Sequence, residues 1–264
     1  MTQPYHWNSE DYARHSAGQY RWAQIQLERL QLQPGQAVLD IGCGDGKVTA
    51  QLAARAAPGL VLGVDRSSNM LRLAYQTHRP GHPNLYFCQQ DAAHLALVPA
   101  FDVAFSNATL HWVADHPAVL RGVQRALRPG GRLVFEMGGA GNAAGIIVVL
   151  NRVIDSHPWQ DYFDCFNFPY YFASPQEYAH WLPQAGLKLA RAELVEKDMQ
   201  HAGSSGLAGW IRTTWLPYLA RVPEQRQAEF IDTVVARYLQ THPLDESGIA
   251  HVAMMRLEVE AVKE

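Results

Sequence analysis

The sequence predicts an α/β fold, a parallel sheet covered by helices on both faces, and three observations carry that prediction. Short apolar runs alternate with helix-length amphipathic segments from residue 37 to about residue 137. The first run, Val38-Leu39-Asp40-Ile41, passes straight into a glycine-rich turn, Gly42-Cys43-Gly44-Asp45-Gly46, and the next two runs end at acidic residues, Asp65 and Asp91. Alternation of this kind implies right-handed crossovers between parallel strands. A ligand then sits at the carboxyl ends of the strands, beside the switch point.

Taken in order, a helical pattern from about Ser9 to Leu30 opens the chain and is ended by Gln33-Pro34-Gly35. Tyr12, His15, Gln19 and Trp22 recur on it at helical spacing, one face mixing aromatic and hydrogen-bonding groups. Strand-like runs follow at 37–41, 60–64, 85–89, 101–106 and 132–137, with amphipathic segments such as 46–57, 67–77 and 116–127 between them. The rhythm breaks at Gly138-Gly139-Ala140-Gly141-Asn142, a flexible exit, and an aromatic-rich stretch runs from Trp159 to Phe172. Most of those rings are expected in the core and a few along an apolar cavity. Ser174-Pro175-Gln176-Glu177 reads as a helix start, with a capping serine and a glutamate three residues on. Residues 187–198 read as a strand, Gly203 to about Ser247 as two helices separated by Pro223, and His251 to Val262 as a closing strand. The expected organisation is one domain over 1–264 with cap insertions at about 142–173 and 203–247.

At 264 residues the chain is long enough for one large α/β domain and short for two independent ones. Its 48% hydrophobic and 18% charged residues are those of an ordinary globular protein. A net charge of −3 gives no electrostatic reason to expect nucleic acid. The longest apolar run, Ile146 to Leu150, is far below the roughly 20 residues of a membrane helix, and the N-terminus has no basic-then-apolar signal. No membrane association is expected, and the cytoplasm is the expected location. Three cysteines, Cys43, Cys88 and Cys165, suit a reducing compartment and form no zinc pattern. Twelve histidines without ligand spacing leave no metal expected.

The glycine turn excludes phosphate. In a dinucleotide fingerprint the third glycine lets the helix pack close to the strand, and here Lys47 holds that position. A P-loop needs Ser or Thr after Gly-Lys; Val48 follows Gly46-Lys47, and Ile41 stands where the first glycine belongs. What remains is a tight turn with carboxylates at Asp40 and Asp45, which repel phosphate and attract a cationic ligand. An adenosine bearing a sulfonium and an amino-acid tail is the candidate. Asp65 can accept both hydroxyls of a ribose over the turn, as in dinucleotide enzymes, and Asp91 can accept from an adenine amino group or simply cap a turn.

The ordered set Val38–Gly46, Gly63-Val64-Asp65, Gln90-Asp91-Ala92, Phe101-Asp102-Val103 and Leu127-Arg128-Pro129-Gly130-Gly131 resembles the class I S-adenosylmethionine-dependent methyltransferases. The resemblance implies a Rossmann-like, seven-stranded, mostly parallel sheet of order 3-2-1-4-5-7-6 with the last strand antiparallel. It assigns to the S-adenosyl-L-methionine cofactor Asp40, Gly42, Cys43, Gly44, Gly46, Asp65, Arg66, Asp91, Ala92 and Asn107. Asp40 would order the methionine end, Asp65 hold the ribose, Asp91 and Ala92 read the adenine, and Asn107 lie near the methionine tail. Within that superfamily the chain is most similar to the trans-aconitate and juvenile-hormone-acid methyltransferases, which methylate small carboxylic acids. That likeness rests on Trp7-Asn8, Tyr12, His15 and Gln19, on Leu110-His111-Trp112, and on the block Trp210 to Pro217. It implies catalytic roles for His111 and Gln19, and acceptor contacts for Tyr12, His15, Trp112, Arg212 and Trp215.

Methyl transfer from a sulfonium is an in-line displacement, so alignment is the main requirement. A carboxylate acceptor, with a pKa near 4, is already ionised and needs no base; His111, Gln19 and Arg212 would then orient the anion. A phenol, amine or carbon acid would need one, and His111 is the best-placed candidate. The carboxylate is the expectation, on the resemblance alone. A nicotinamide-dependent oxidoreductase and a non-catalytic cofactor-binding protein are the rivals; Lys47 and the lack of a hydride-transfer site oppose the first. The expected partner is a small-molecule acceptor, and the expected assembly a monomer or homodimer.

Overall fold

The structure, a computed structural model, describes residues 17–264, with side chains from Trp22 onward. Tyr12 and His15 therefore lie outside the described residues, and of Gln19 only the backbone is described. The described chain divides into two compact units, one of Gln19–Ala140, Tyr170–Val195 and Arg256–Glu264, the other including Gly141–Pro169 and Glu196–Met255.

The strands are β1 (Val38–Ile41), β2 (Val61–Asp65), β3 (Leu85–Gln89), β4 (Phe101–Asn107), β5 (Leu127–Gly138), β6 (Leu187–Ala202) and β7 (Ile249–Lys263). They form one seven-stranded sheet of order β3-β2-β1-β4-β5-β7-β6, as expected. β1 pairs in parallel with β2 and β4, β2 with β3, and β4 with β5. β7 runs antiparallel to β5, with Arg132 opposite Val262 and Gly138 opposite Arg256. The chain moves outward through β2 and β3 and then returns past β1 to β4, so the switch point lies between β1 and β4.

Both faces of the sheet are apolar because successive strand residues point to opposite sides. Val38, Val103, Phe105 and Val134 join one core, with Leu27 of α1 (Ala17–Arg29), Leu30 just past its end, and Leu52 and Ala53 of α2 (Lys47–Ala56). Their neighbours Leu39, Ala104, Leu133 and Phe135 join the other, with Val119, Leu120 and Val123 of α4 (His116–Ala126) and Tyr178 and Leu182 of α6 (Pro175–Gln184). The helix between β2 and β3 is α3 (Ser68–His78), capped by the Ser67 side chain. Ser174 and Glu177 close the capping box read from the sequence. β5 begins earlier than the expected 132–137: Leu127 already pairs with Phe101, and the register shifts before Val103 meets Arg132. Arg128-Pro129-Gly130-Gly131 is the irregularity between those two pairings.

The other unit holds α5 (Ala144–Ile154), α7 (Gly203–Thr214), α8 (Leu216–Leu219) and α9 (Glu224–Thr241). α5 and α7 both pack on α9. Trp159 meets Phe230 edge-on at 5.1 Å, and Phe163 stacks on the same ring at 5.7 Å. One difference from expectation falls here, and one helix lies where no element was expected. Ala144-Gly145-Ile146-Ile147-Val148-Val149-Leu150 has the β-branched composition of a strand but forms the first turns of α5. The region after Gly203 holds three helices rather than two, since Trp215-Leu216-Pro217 interrupts the first; Pro223 precedes the long α9 as expected.

Candidate active site

The turn after β1 is held to the end of β2. The amides of Gly42 and Cys43 both donate to the Val64 carbonyl, at 2.8 and 3.0 Å. Gly42, Gly44 and Gly46 have φ of 76°, 54° and 80°, a left-handed path that side chains disfavour. At Gly42 there is also no room: a Cβ would stand 2.1 Å from Cγ2 and 2.2 Å from Oγ1 of Thr109. That threonine, just past β4, donates through Oγ1 to the Gly42 carbonyl at 3.1 Å. The turn and the end of β4 therefore meet without an intervening side chain.

Three carboxylates surround this turn, each in a different state. Asp40 is buried within β1 and accepts from Thr49 Oγ1 at 2.7 Å. Burial pushes its pKa up to about 7, against the Thr49 hydrogen bond and with a further push from Asp65. Asp65 accepts the Gly44 amide at 3.0 Å on one oxygen and the Ser67 amide at 2.8 Å on the other. Burial raises its pKa too, with both amides opposing. An ionised carboxylate has about four lone-pair sites, so acceptor capacity remains for two hydroxyls. Asp91 is exposed and caps the turn Ala92–His94, accepting the Ala93 amide at 2.9 Å. It fills the capping role and lines the cleft at the same time.

That cleft, of about 240 Å³, opens at the switch point. Of the residues expected to contact the cofactor, Gly42, Asp65, Arg66, Asp91 and Ala92 line it, together with Ile41 and Val64. Gly44 stands beside Asp65 through its amide, while Cys43 and Gly46 are buried in the turn. Burial, followed by the Asp40 and Asp65 charges, raises the Cys43 thiol well above its ordinary range, so it is a packing group and no nucleophile. Asn107 ends β4, and its buried Oδ1 has no hydrogen-bond partner. Trp112, expected at the acceptor, lines the cleft with Val113, Ala114 and Asp115. Thr109, Gln90 and Asp115 are lining residues to which sequence reasoning gave no role, Gln90 being named only within its motif. All three sit beside expected residues in loops that follow strands, where a signal of position existed but none of type.

His111 stands in the single turn Leu110–Trp112 after β4, with 9% of its surface exposed. The Gly138 amide donates to its Nδ1 at 3.4 Å. An amide can only donate, so the ring proton belongs on Nε2. Burial first, then the charges of Arg256 and His116, holds its pKa well below the ordinary histidine range. The ring lies about 6 Å from those of Trp112, Tyr170 and Phe172, and Trp112 meets Tyr170 edge-on at 4.6 Å. Tyr170 and Phe172 thus belong with His111, whereas Trp159 and Phe163 of the same aromatic stretch pack in the other unit. Arg212 is exposed on α7, and Trp215 is buried just beyond it. Among the described residues no group of three or more His, Cys, Asp or Glu could hold a metal ion, and no helix is long and apolar enough to cross a membrane.

Comparison with known proteins agrees with this geometry. A family described as a methyltransferase domain matches residues 39–135. The trans-aconitate 2-methyltransferase of Methylobacterium nodulans is 30% identical over 95% of this chain and 96% of its own. That of Deinococcus radiodurans is 31% identical over 86% of this chain and 87% of its own. Among solved structures, the YcgJ protein of Bacillus subtilis superposes with a TM-score of 0.62 at 17% identity, covering 93% of this chain and 99% of that one. Phosphoethanolamine N-methyltransferase 2 of Haemonchus contortus, in complex with S-adenosyl-L-methionine, has a TM-score of 0.60 at 21% identity, covering 97% of this chain and 56% of that one.

S-adenosylmethionine is the cofactor, and the donor and acceptor chemistry of the cleft fits it. The ligand offers hydroxyls, amino groups and positive charge; the chain offers the spare acceptor sites of Asp65, the Asp91 carboxylate and the partnerless Oδ1 of Asn107. Among the described residues that line the cleft, Arg66 is the one Lys or Arg, and it is exposed. An acceptor-rich cleft beside a glycine turn, on a sheet of this order, with relatives matched over nearly its whole length, places the chain in the class I S-adenosylmethionine-dependent methyltransferases, near the trans-aconitate 2-methyltransferase group.

Proposed function

We propose that this enzyme methylates the carboxylate of a small organic acid. The observation that carries the reading is the state of His111: neutral, Nδ1 engaged by the Gly138 amide and the proton on Nε2. Such a ring is a hydrogen-bond donor. It is a poor base, because its one acceptor nitrogen is taken and both burial and Arg256 disfavour the protonated form. An anion with a pKa near 4 needs a donor and no base, whereas a phenol or an amine needs the reverse. The names of the relatives from Methylobacterium nodulans and Deinococcus radiodurans point to an acid of the same class.

S-adenosylmethionine supplies a methyl group on a sulfonium, which leaves as a neutral thioether. The chain's own contribution is alignment. Asp65 and Asp91 would hold the adenosine, Asn107 would accept from the methionine ammonium, and His111 Nε2–H would orient the acceptor's carboxylate by donating to one of its oxygens. Trp112 and Tyr170 supply an aromatic wall beside it.

His111→Gln against His111→Ala tests this, since glutamine donates a hydrogen bond and cannot act as a base. The glutamine variant should keep activity within about tenfold of wild type, and the alanine variant should fall well below it. Equal inactivation of both, with a wild-type rate that rises tenfold per pH unit below neutrality, would replace the carboxylate by an acceptor that needs deprotonation.

A further inference from the structure

Arginine is rarely buried without a reason, and Arg256 is only 3% exposed. It lies on β7 opposite Gly138 of β5. Because β7 runs antiparallel, a residue near the end of the sequence returns to the carboxyl edge of β4 and β5, where Asn107 and His111 stand. Its Nε donates to Oε1 of Glu136, itself 2% exposed, at 3.3 Å, and its guanidinium lies 5.4 Å from the Trp22 ring centroid. Gly138 is flanked on both sides: Arg256 is its partner across the ladder, and its amide donates to His111 Nδ1. A buried ion pair is weak evidence for stability, since apolar residues of like volume often serve as well. A buried cation paired across the ladder with the same glycine whose amide engages His111 has a more specific use.

We propose that Arg256 is a positioning residue of the methyl-transfer site, acting through His111 to receive an anionic acceptor. The inference rests on the carboxylate reading above. Its positive charge disfavours a second proton on the imidazole, so Nε2–H stays a neutral donor and the acceptor's carboxylate keeps its nucleophilic lone pairs. Among the described residues, the other groups set against the ring are His116 from α4, which also disfavours protonation, Trp112, Tyr170 and Phe172. Glu136 Oε1 accepts from the guanidinium Nε, so neither charge of the pair is buried without a counter-charge.

The test compares wild type, Arg256→Lys and the double variant Arg256→Gln/Glu136→Gln, which removes the pair without stranding either charge. Three readouts are needed: S-adenosylhomocysteine affinity by calorimetry, the titration of His111 by NMR in the S-adenosylhomocysteine complex, and kcat and KM for a carboxylic acid such as trans-aconitate. The double variant should bind S-adenosylhomocysteine within about threefold of wild type, titrate His111 at higher pH, and raise the acceptor KM by roughly tenfold or more, with a smaller change in kcat. A folded double variant with wild-type His111 titration and wild-type acceptor KM overturns the proposal. Should that variant not fold, Arg256→Lys decides. Charge is kept, so His111 titration and KM should stay within about threefold of wild type, and a larger change with cofactor affinity intact overturns the electrostatic role. The NMR arm needs no acceptor. It judges Arg256 even where wild type methylates no carboxylic acid, a result that would instead fell the carboxylate reading.

Discussion

Replacing Gly42 by alanine should damage both fold and cofactor binding, and the structure says by how much and through which neighbour. The new methyl would lie 2.1 Å from Thr109 Cγ2 and 2.5 Å from Thr109 Cβ, on a backbone with φ of 76°. The left-handed conformation costs an L-residue about 1–2 kcal/mol, and forcing a methyl into filled space about 1–3 kcal/mol. Gly42→Ala should therefore lose about 2–5 kcal/mol in urea unfolding and bind S-adenosylhomocysteine more weakly. A double-mutant cycle identifies the cause. Thr109→Ala should rescue little, because its Cβ remains in the way, whereas Thr109→Gly should leave only the backbone cost, a coupling of about 1–3 kcal/mol. Loss of less than about 0.5 kcal/mol in Gly42→Ala, or the same loss in the Thr109→Gly background as in wild type, would refute the close approach.

Three further outcomes follow from single residues. Asp65→Ala removes the acceptor of two backbone amides and, on the proposed cofactor binding, of the ribose hydroxyls, and calorimetry should show S-adenosylhomocysteine affinity lowered at least about tenfold. Asp40 keeps its proton in the fold up to about pH 7 and loses it near pH 4 when unfolded, so its stabilising contribution is full below about pH 4 and is lost as pH rises through about 7. Asp40→Asn should flatten that fall in chemical unfolding measured between pH 4 and 8; an unchanged slope would mean that Asp40 is ionised throughout. Phe230→Ala opens a hole between Trp159 and Phe163 and should cost about 3–5 kcal/mol in thermal or urea unfolding.

Much of the site was legible because its signals are local. Gly42, Gly44 and Gly46 are demanded by backbone dihedrals, and Asp65 and Asp91 by their places after strands, so a linear reading finds them. Alternation of apolar runs located every strand to within a few residues apart from β5, where a register shift joins Leu127 and Arg132–Gly138 into one strand. α5 escaped notice because Ile146-Ile147-Val148-Val149 has strand composition, and its packing on α9 overrides that preference. Arg256 and Glu136 gave no signal at all. They lie far apart in sequence, each is an ordinary residue in an apolar strand, and only the antiparallel return of β7 brings Arg256 back to Glu136 and Gly138 at the carboxyl end of β5. The state of His111 was equally hidden, since it depends on the Gly138 amide and on burial rather than on residue type.

Transfer of labelled methyl from S-adenosylmethionine to a panel of small acids, phenols and amines, with the product tested for hydrolysis in base, is the most direct measurement. Label in a base-labile methyl ester of a carboxylic acid, lost in Asp65→Ala, is the predicted result. Label found only in a base-stable ether or N-methyl product would contradict the carboxylate assignment.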